Sequence, residues 1–225
     1  MDGILPVDKP AGWTSHDVVA KVRSIIKKET GQKIKVGHTG TLDPAATGLL
    51  VLVIGSYTQR ASQFSQLDKV YKAEITLGYT SSTGDKEGEL VKISDIRPGK
   101  TAVEAVLSGF EGEILQKPHK YSAVKIDGQR AYKAARAGQT VEIEPRKVKI
   151  YEITDVKYNY PTLNFTCKVS SGTYIRSLAE DIGAELDTGA YLTALRRTQV
   201  GQFDIKNSLK IESLTGPGIT KLLQK

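Results

Sequence analysis

The stretch VKIYEITDVKYNYPTLNFTCKVSSGTYIRSLAEDIGAEL, residues 148–186, decides the fold class. Two strand-like runs, VKIYEITDVKYN and TLNFTCKVSS, follow one another with no helix between them. Only then does a helical pattern begin, with Ile175, Leu178, Ile182 and Leu186 recurring at three and four residues. A sheet built from βαβ units alternates strand and helix, whereas here strands come in succession and helices stand apart. That order predicts an α+β protein with a largely antiparallel mixed sheet flanked by helices.

The rest of the chain repeats this arrangement. GILPVD reads as a strand, and SHDVVAKVRSIIKKETG as a helix with Val18, Val19, Val22, Ile25 and Ile26 on one face. Ser15 is its expected cap and Gly31 its stop. LLVLVIG is an uninterrupted apolar run, the mark of a buried strand. VYKAEITLGYTS alternates as one strand, and TAVEAVLSGF predicts a helix opened by a Thr101–Glu104 capping box. AVKIDGQRAY predicts a hairpin around Asp127 and Gly128. VEIE reads as a further strand, and SLKIESLTGPGITKLLQK as a short strand or helix followed by a helical tail. No repeat, low-complexity linker or internal boundary interrupts the 225 residues.

At 39% hydrophobic and 25% charged, the composition is that of a chain able to bury a core. No apolar run approaches the ~20 residues of a membrane span, and MDGILPVDKP does not read as a signal peptide. The single cysteine, Cys167, gives neither an internal disulfide nor a cysteine-based zinc site. A cytoplasmic setting is the expectation. Residues 117–149 carry nine lysines and arginines against three acids, which is most of the net charge of +7. Such a segment suits a polyanion and equally suits a solvated face.

The common chemistries fail on required residues. His16, His38 and His119 lack metal-ligand spacing, and no G-x-S-x-G or zinc-deaminase signature is present. SDIRPGKT has Ser94 where a P-loop needs its first glycine. HTGTL follows Gly37 where a phosphoryl-accepting loop would need aspartate. Asp43, in GHTGTLDPAATGLL (Gly37–Leu50), remains. Asp-Pro suits a helix cap with proline at the first helical position. Alternatively, Gly37, Gly40 and Gly48 leave room for a planar ligand to approach the carboxylate. Arg176 falls off the apolar stripe, in the first turn of its helix, at the positive end of the dipole. It is either solvated or offset by an anion.

Taken together these segments resemble the TruB family of RNA pseudouridine synthases. GHTGTLDPAATGLL is similar to the family's catalytic loop, KVYKAEITLGYTSSTGD to its second motif, and KYSAVKIDGQRAYKAAR to its RNA-gripping insertion. VSSGTYIRSLAEDIG is similar to its arginine motif and ALRRTQVGQF to its closing strand. The resemblance implies a pseudouridine synthase fold and isomerisation of one uridine in RNA, uridine 55 in the T loop of tRNA, with no cofactor and no metal. It assigns Asp43 as nucleophile, Arg176 as the arginine paired with it, and Tyr71 as the tyrosine that stacks on the base. His38 replaces the extruded base, and Tyr174 and Leu195 line its pocket. Lys9 and Asp85 also fall on family positions. Lys125, Arg130, Lys133 and Arg136 are the expected phosphate contacts. By residue type alone, Tyr71 and Leu195 fit a core, His38 a loop and Asp85 a turn equally well. The expected organisation is a catalytic domain over 1–203, with its insertion at about 117–149. A short extension over 204–225 stands in place of the PUA domain of bacterial members. Recognition of the T arm alone is expected, by a monomer that needs no protein partner and no membrane.

Overall fold

The protein is described by a computed structural model covering residues 1–119, 125–126, 129–130 and 143–223. In chain order the elements are β1 (Gly3–Lys9), α1 (Ser15–Thr30), β2 (Val36–His38), β3 (Thr47–Ile54), α2 (Ala61–Ser65), β4 (Lys69–Leu77), β5 (Tyr79–Ser81) and β6 (Leu90–Lys92). There follow α3 (Lys100–Gly109), β7 (Gly112–Gln116), β8 (Lys125–Ile126), β9 (Gln129–Arg130), β10 (Arg146–Asn159), β11 (Thr162–Val169) and α4 (Ile175–Glu185). The chain closes with β12 (Ala190–Val200), β13 (Phe203–Asp204), β14 (Leu209–Lys210) and α5 (Gly216–Leu222). It forms two compact units, Met1–Lys72 with Leu195–Lys225, and Ala73–Ala194. β4 and β12 carry the chain between them.

In the first unit the strand order is β14-β1-β3-β12. β1 and β3 pair antiparallel from Gly3↔Ile54 to Lys9↔Gly48, while β12 joins β3 in parallel through Arg196↔Thr47 and Arg197↔Gly48. β3 is central and buried on both faces, which is why its sequence shows no alternation. Leu50, Leu52 and Ile54 pack with Leu5, Val7, Val18, Val22, Ile26 and, from the end of the chain, Ile211, Leu214 and Ile219. Leu49, Val51 and Val53 form the other core with Ile4, Phe64, Val200 and Phe203.

The N-cap of α1 stands one residue earlier than expected. Thr14, not Ser15, is the N-cap: Asp17 N–H donates to its Oγ1 at 3.1 Å and Thr14 N–H donates to the Asp17 carboxylate at 2.8 Å. This is the reciprocal pair of a capping box. Gly31 ends the helix at φ 69°, as its sequence implies.

The second unit has its sheet in the order β4-β11-β10-β7, with β7/β10 and β10/β11 antiparallel. α3 packs on β10 and on α4, and Ile175, Leu178, Ile182 and Leu186 are all buried as the periodicity requires. Some local expectations are corrected. VYKAEITLGYTS is two strands, because Gly78 at φ 94° breaks it. α3 starts at Lys100 with Gly99 as N-cap and no side-chain cap bond. Glu104 instead pairs with Lys100 at 3.6 Å, one turn away. β8 and β9 pair antiparallel, Lys125↔Arg130 and Ile126↔Gln129, as the hairpin reading expected. Asp127, Gly128 and the first half of VEIE lie outside the described residues, and its second half, Ile143 and Glu144, precedes β10 without being in a strand. No helix among the described residues is long and apolar enough to cross a membrane.

Candidate active site

Asp43 lies in the loop between β2 and β3, and it caps no helix. Asp43 C=O accepts from Ala46 N–H at 3.1 Å, so Asp43-Pro44-Ala45-Ala46 is a β-turn with proline at its second position. β3 follows at once. Both outcomes use the same fixed proline φ, and only the apolar run behind the turn selects the strand.

Three groups of the first unit hold this loop. Lys9, at 0% exposure, directs all three ammonium donors at carbonyls: Trp13 at 2.7 Å, Pro10 at 2.9 Å and Pro44 at 3.3 Å. Ser15 Oγ donates to Leu42 C=O at 3.1 Å and accepts from Leu42 N–H at 2.8 Å. Arg197, 2% exposed, donates to the carbonyls of Leu49 at 2.8 Å, Gly40 at 3.0 Å and Thr41 at 3.4 Å. Burial pushes the Lys9 ammonium down to about 8, with Asp43 opposing and Arg197 reinforcing the shift. Of the loop's glycines, Gly48 has a packing role of its own. A Cβ on Gly48, at φ 107°, would run into the Arg197 backbone, and one on Gly40 would stand 3.6 Å from its guanidinium.

Of the other expected residues in this unit, His38 ends β2 and is half-buried, and Leu195 is half-buried rather than core. Tyr71 is 8% exposed on the inward face of β4, which it shares with Lys69 and Ala73.

In the second unit Arg176 is not a solvated arginine. It is 7% exposed, and its Nη1 lies 3.5 Å from the Asp85 carboxylate and donates to Thr83 C=O at 3.1 Å. A cation in the first turn of α4 meets the positive end of the dipole, and Asp85 offsets it. Asp85 is also the turn residue its sequence suggested. Its other oxygen accepts from Thr83 Oγ1 at 2.6 Å and Glu87 N–H at 3.1 Å. Tyr174 caps α4 and is half-buried.

Sequence reasoning overlooked the residues that hold Tyr174. Buried Gln116 grips its peptide from both sides, donating to Tyr174 C=O at 3.1 Å and accepting from Tyr174 N–H at 2.8 Å. The Arg146 guanidinium lies 5.3 Å from the ring centroid and donates to the phenol oxygen at 3.3 Å. No local pattern marks Gln116. Arg197 had one usable signal: it shares a strand face with Leu195, two residues away. Of the basic insertion, Lys125 and Arg130 sit opposite one another on β8 and β9, while Lys133 and Arg136 lie outside the described residues.

Residues 26–175 match the family model described as TruB family pseudouridylate synthase (N terminal domain). The chain belongs to the TruB family. Residues 176–217 match a second model, the tRNA pseudouridylate synthase B C-terminal domain. Among curated TruB relatives, tRNA pseudouridine synthase B of Thermobifida fusca is 45% identical over 225 residues, covering 95% of this chain and 74% of that one. The protein of the same name from Clostridium kluyveri is 44% identical, covering 99% and 75%. Among solved structures, a chain of a Cbf5-Nop10-Gar1 complex superposes with a TM-score of 0.71 at 30% identity, over 93% of this chain and 52% of that one. One from the archaeal box H/ACA sRNP Nop10-Cbf5 complex gives 0.69 at 28% identity, over 96% and 54%. The TruB chain described here thus spans about three quarters of these curated relatives and about half of these solved chains.

Proposed function

We propose that this chain isomerises uridine to pseudouridine in tRNA, with uridine 55 of the T loop as its target and Asp43 as the nucleophile. Family membership at 43–45% identity to proteins named tRNA pseudouridine synthase B supports the reaction class. The observation that carries the choice of Asp43 is its loop. A half-buried carboxylate sits on a turn whose neighbouring backbone is tied by Lys9, Ser15 and Arg197.

In this reading the target base leaves the loop's stack, at a cost of a few kcal/mol. Tyr71 stacks on it and returns about 1–3 kcal/mol, and His38 occupies the space left behind. Asp43 adds either to the uracil ring or to ribose C1′, the N1–C1′ bond breaks, the base turns, C5 bonds to C1′, and the bond to Asp43 breaks to return the free carboxylate. The C5 proton is released, N1 takes up a proton, and no redox partner is needed. Covalent catalysis divides one difficult exchange into easier steps. Arg176 is assigned to the carboxylate by its motif, and Tyr174 and Leu195 to the base pocket. Lys125, Arg130, Lys133 and Arg136 supply phosphate contacts, while the shape of the T arm supplies selectivity. The chain acts as a monomer in the cytoplasm, without a protein partner.

The test is tritium release from tRNA labelled at uridine C5, using the purified chain alone. Wild type is expected to release tritium and Asp43→Asn to release none. A variant as fast as wild type removes Asp43 as nucleophile. A wild type that binds tRNA tightly but releases nothing points to an RNA-binding role without chemistry.

A further inference from the structure

Arg197 stands in β12, far along the chain from the Asp43 loop, yet its guanidinium touches both limbs of that loop. On one limb it donates to Gly40 and Thr41, shortly before Asp43, and on the other to Leu49. Lys9 holds the tip through Pro44 C=O. A buried guanidinium is costly unless its donors are matched, and an aliphatic side chain would fill the same space without that cost. A planar guanidinium fork also fixes the directions of its donors, whereas an ammonium on a flexible stem does not. Gly48 completes the fit, because a Cβ there would collide with the Arg197 backbone.

We infer that Arg197 is a positioning residue: by clamping both limbs of the loop, it fixes where the Asp43 carboxylate stands during attack. The inference rests on the reading of Asp43 as nucleophile. Arg197 does not reach the substrate in this account; it acts through the backbone that carries the reagent. Its loss therefore affects the chemical step and spares RNA binding.

Single-turnover tritium release with enzyme in excess, measured beside the tRNA Kd and a thermal melt, separates these effects. Displacing a reacting group by ~1 Å lowers a rate by about 100-fold, so folded Arg197→Ala is expected to lose about that factor with Kd unchanged. Added methylguanidinium restores part of the rate to Arg197→Ala and none to Asp43→Asn. If Arg197→Ala does not fold, Arg197→Lys decides, because it keeps the charge but loses the planar fork and the Nε–H donor to Leu49. It is expected to be slow with unchanged Kd. A full rate in the folded variant, or a loss confined to Kd, overturns the inference. Should Asp43→Asn react at the wild-type rate, the nucleophile reading falls first. Should it be inert while the Arg197 variants run at full speed, only the positioning role falls.

Discussion

Lys69 shows how residues around Arg197 tolerate burial. Its ammonium donates to Ser65 C=O at 2.6 Å and Leu67 C=O at 2.5 Å. Burial pushes it from 10.5 down to about 8, Arg197 acts in the same direction, and Asp68 opposes. The folded chain gives up this proton near pH 8, whereas the unfolded chain keeps it until about 10.5. Between those values the unfolded state binds more protons, so the contribution of Lys69 to stability rises with pH and is flat below 8. Urea unfolding of wild type and Lys69→Met, run below pH 8 and again near pH 10, is expected to show wild type gaining on the variant. A difference independent of pH would contradict the depressed lysine. Neither Lys69 nor Arg197 is legible from sequence as buried, since a basic side chain in a strand reads as solvated. Their partners are backbone carbonyls, which carry no sequence signature.

Helix ends tell the two capping expectations apart. At α1 the box is Thr14–Asp17, and at α3 the Thr101–Glu104 spacing is present but unused because Gly99 takes the cap position. Thr14→Ala is therefore expected to cost about 1 kcal/mol, and Thr101→Ala less than about 0.5 kcal/mol, both read from denaturant midpoints. Equal losses would contradict this assignment. The helices themselves were legible, since Val18, Val22 and Ile26, and Ile175, Leu178 and Ile182, recur at helical spacing and are buried. β3 was legible from its unbroken apolar run. Positions within a turn were not. Asp43-Pro44 serves a helix start and a β-turn alike, and only packing of the following residues selects between them. On the insertion, Lys133→Ala with Arg136→Ala is expected to weaken tRNA binding and reduce its salt slope by about two phosphate contacts. An unchanged slope removes both residues from the interface.

The first unit is assembled from the two ends of the chain. β14 pairs with β1 through Val7↔Leu209 and Asp8↔Lys210, and Ile211, Leu214 and Ile219 complete the core under α1. Burying each such side chain is worth about 1.5–3 kcal/mol. A chain ended after Phe203 is thus expected to lose several kcal/mol and to melt well below wild type by calorimetry; an unchanged melt would contradict that packing. This dependence was invisible in SLKIESLTGPGITKLLQK, whose short elements were legible but whose destination was not. Hydrogen bonds between Arg197 and the Asp43 loop span up to 157 residues, and the Ala73–Ala194 unit is translated in between. On the ribosome that middle unit has all its own contacts before the first can close. The loop with its aspartate emerges early, and Arg197 is added only after the whole Ala73–Ala194 unit has been made. A nascent chain therefore carries the loop motif through the synthesis of the entire middle unit before the guanidinium that ties it exists.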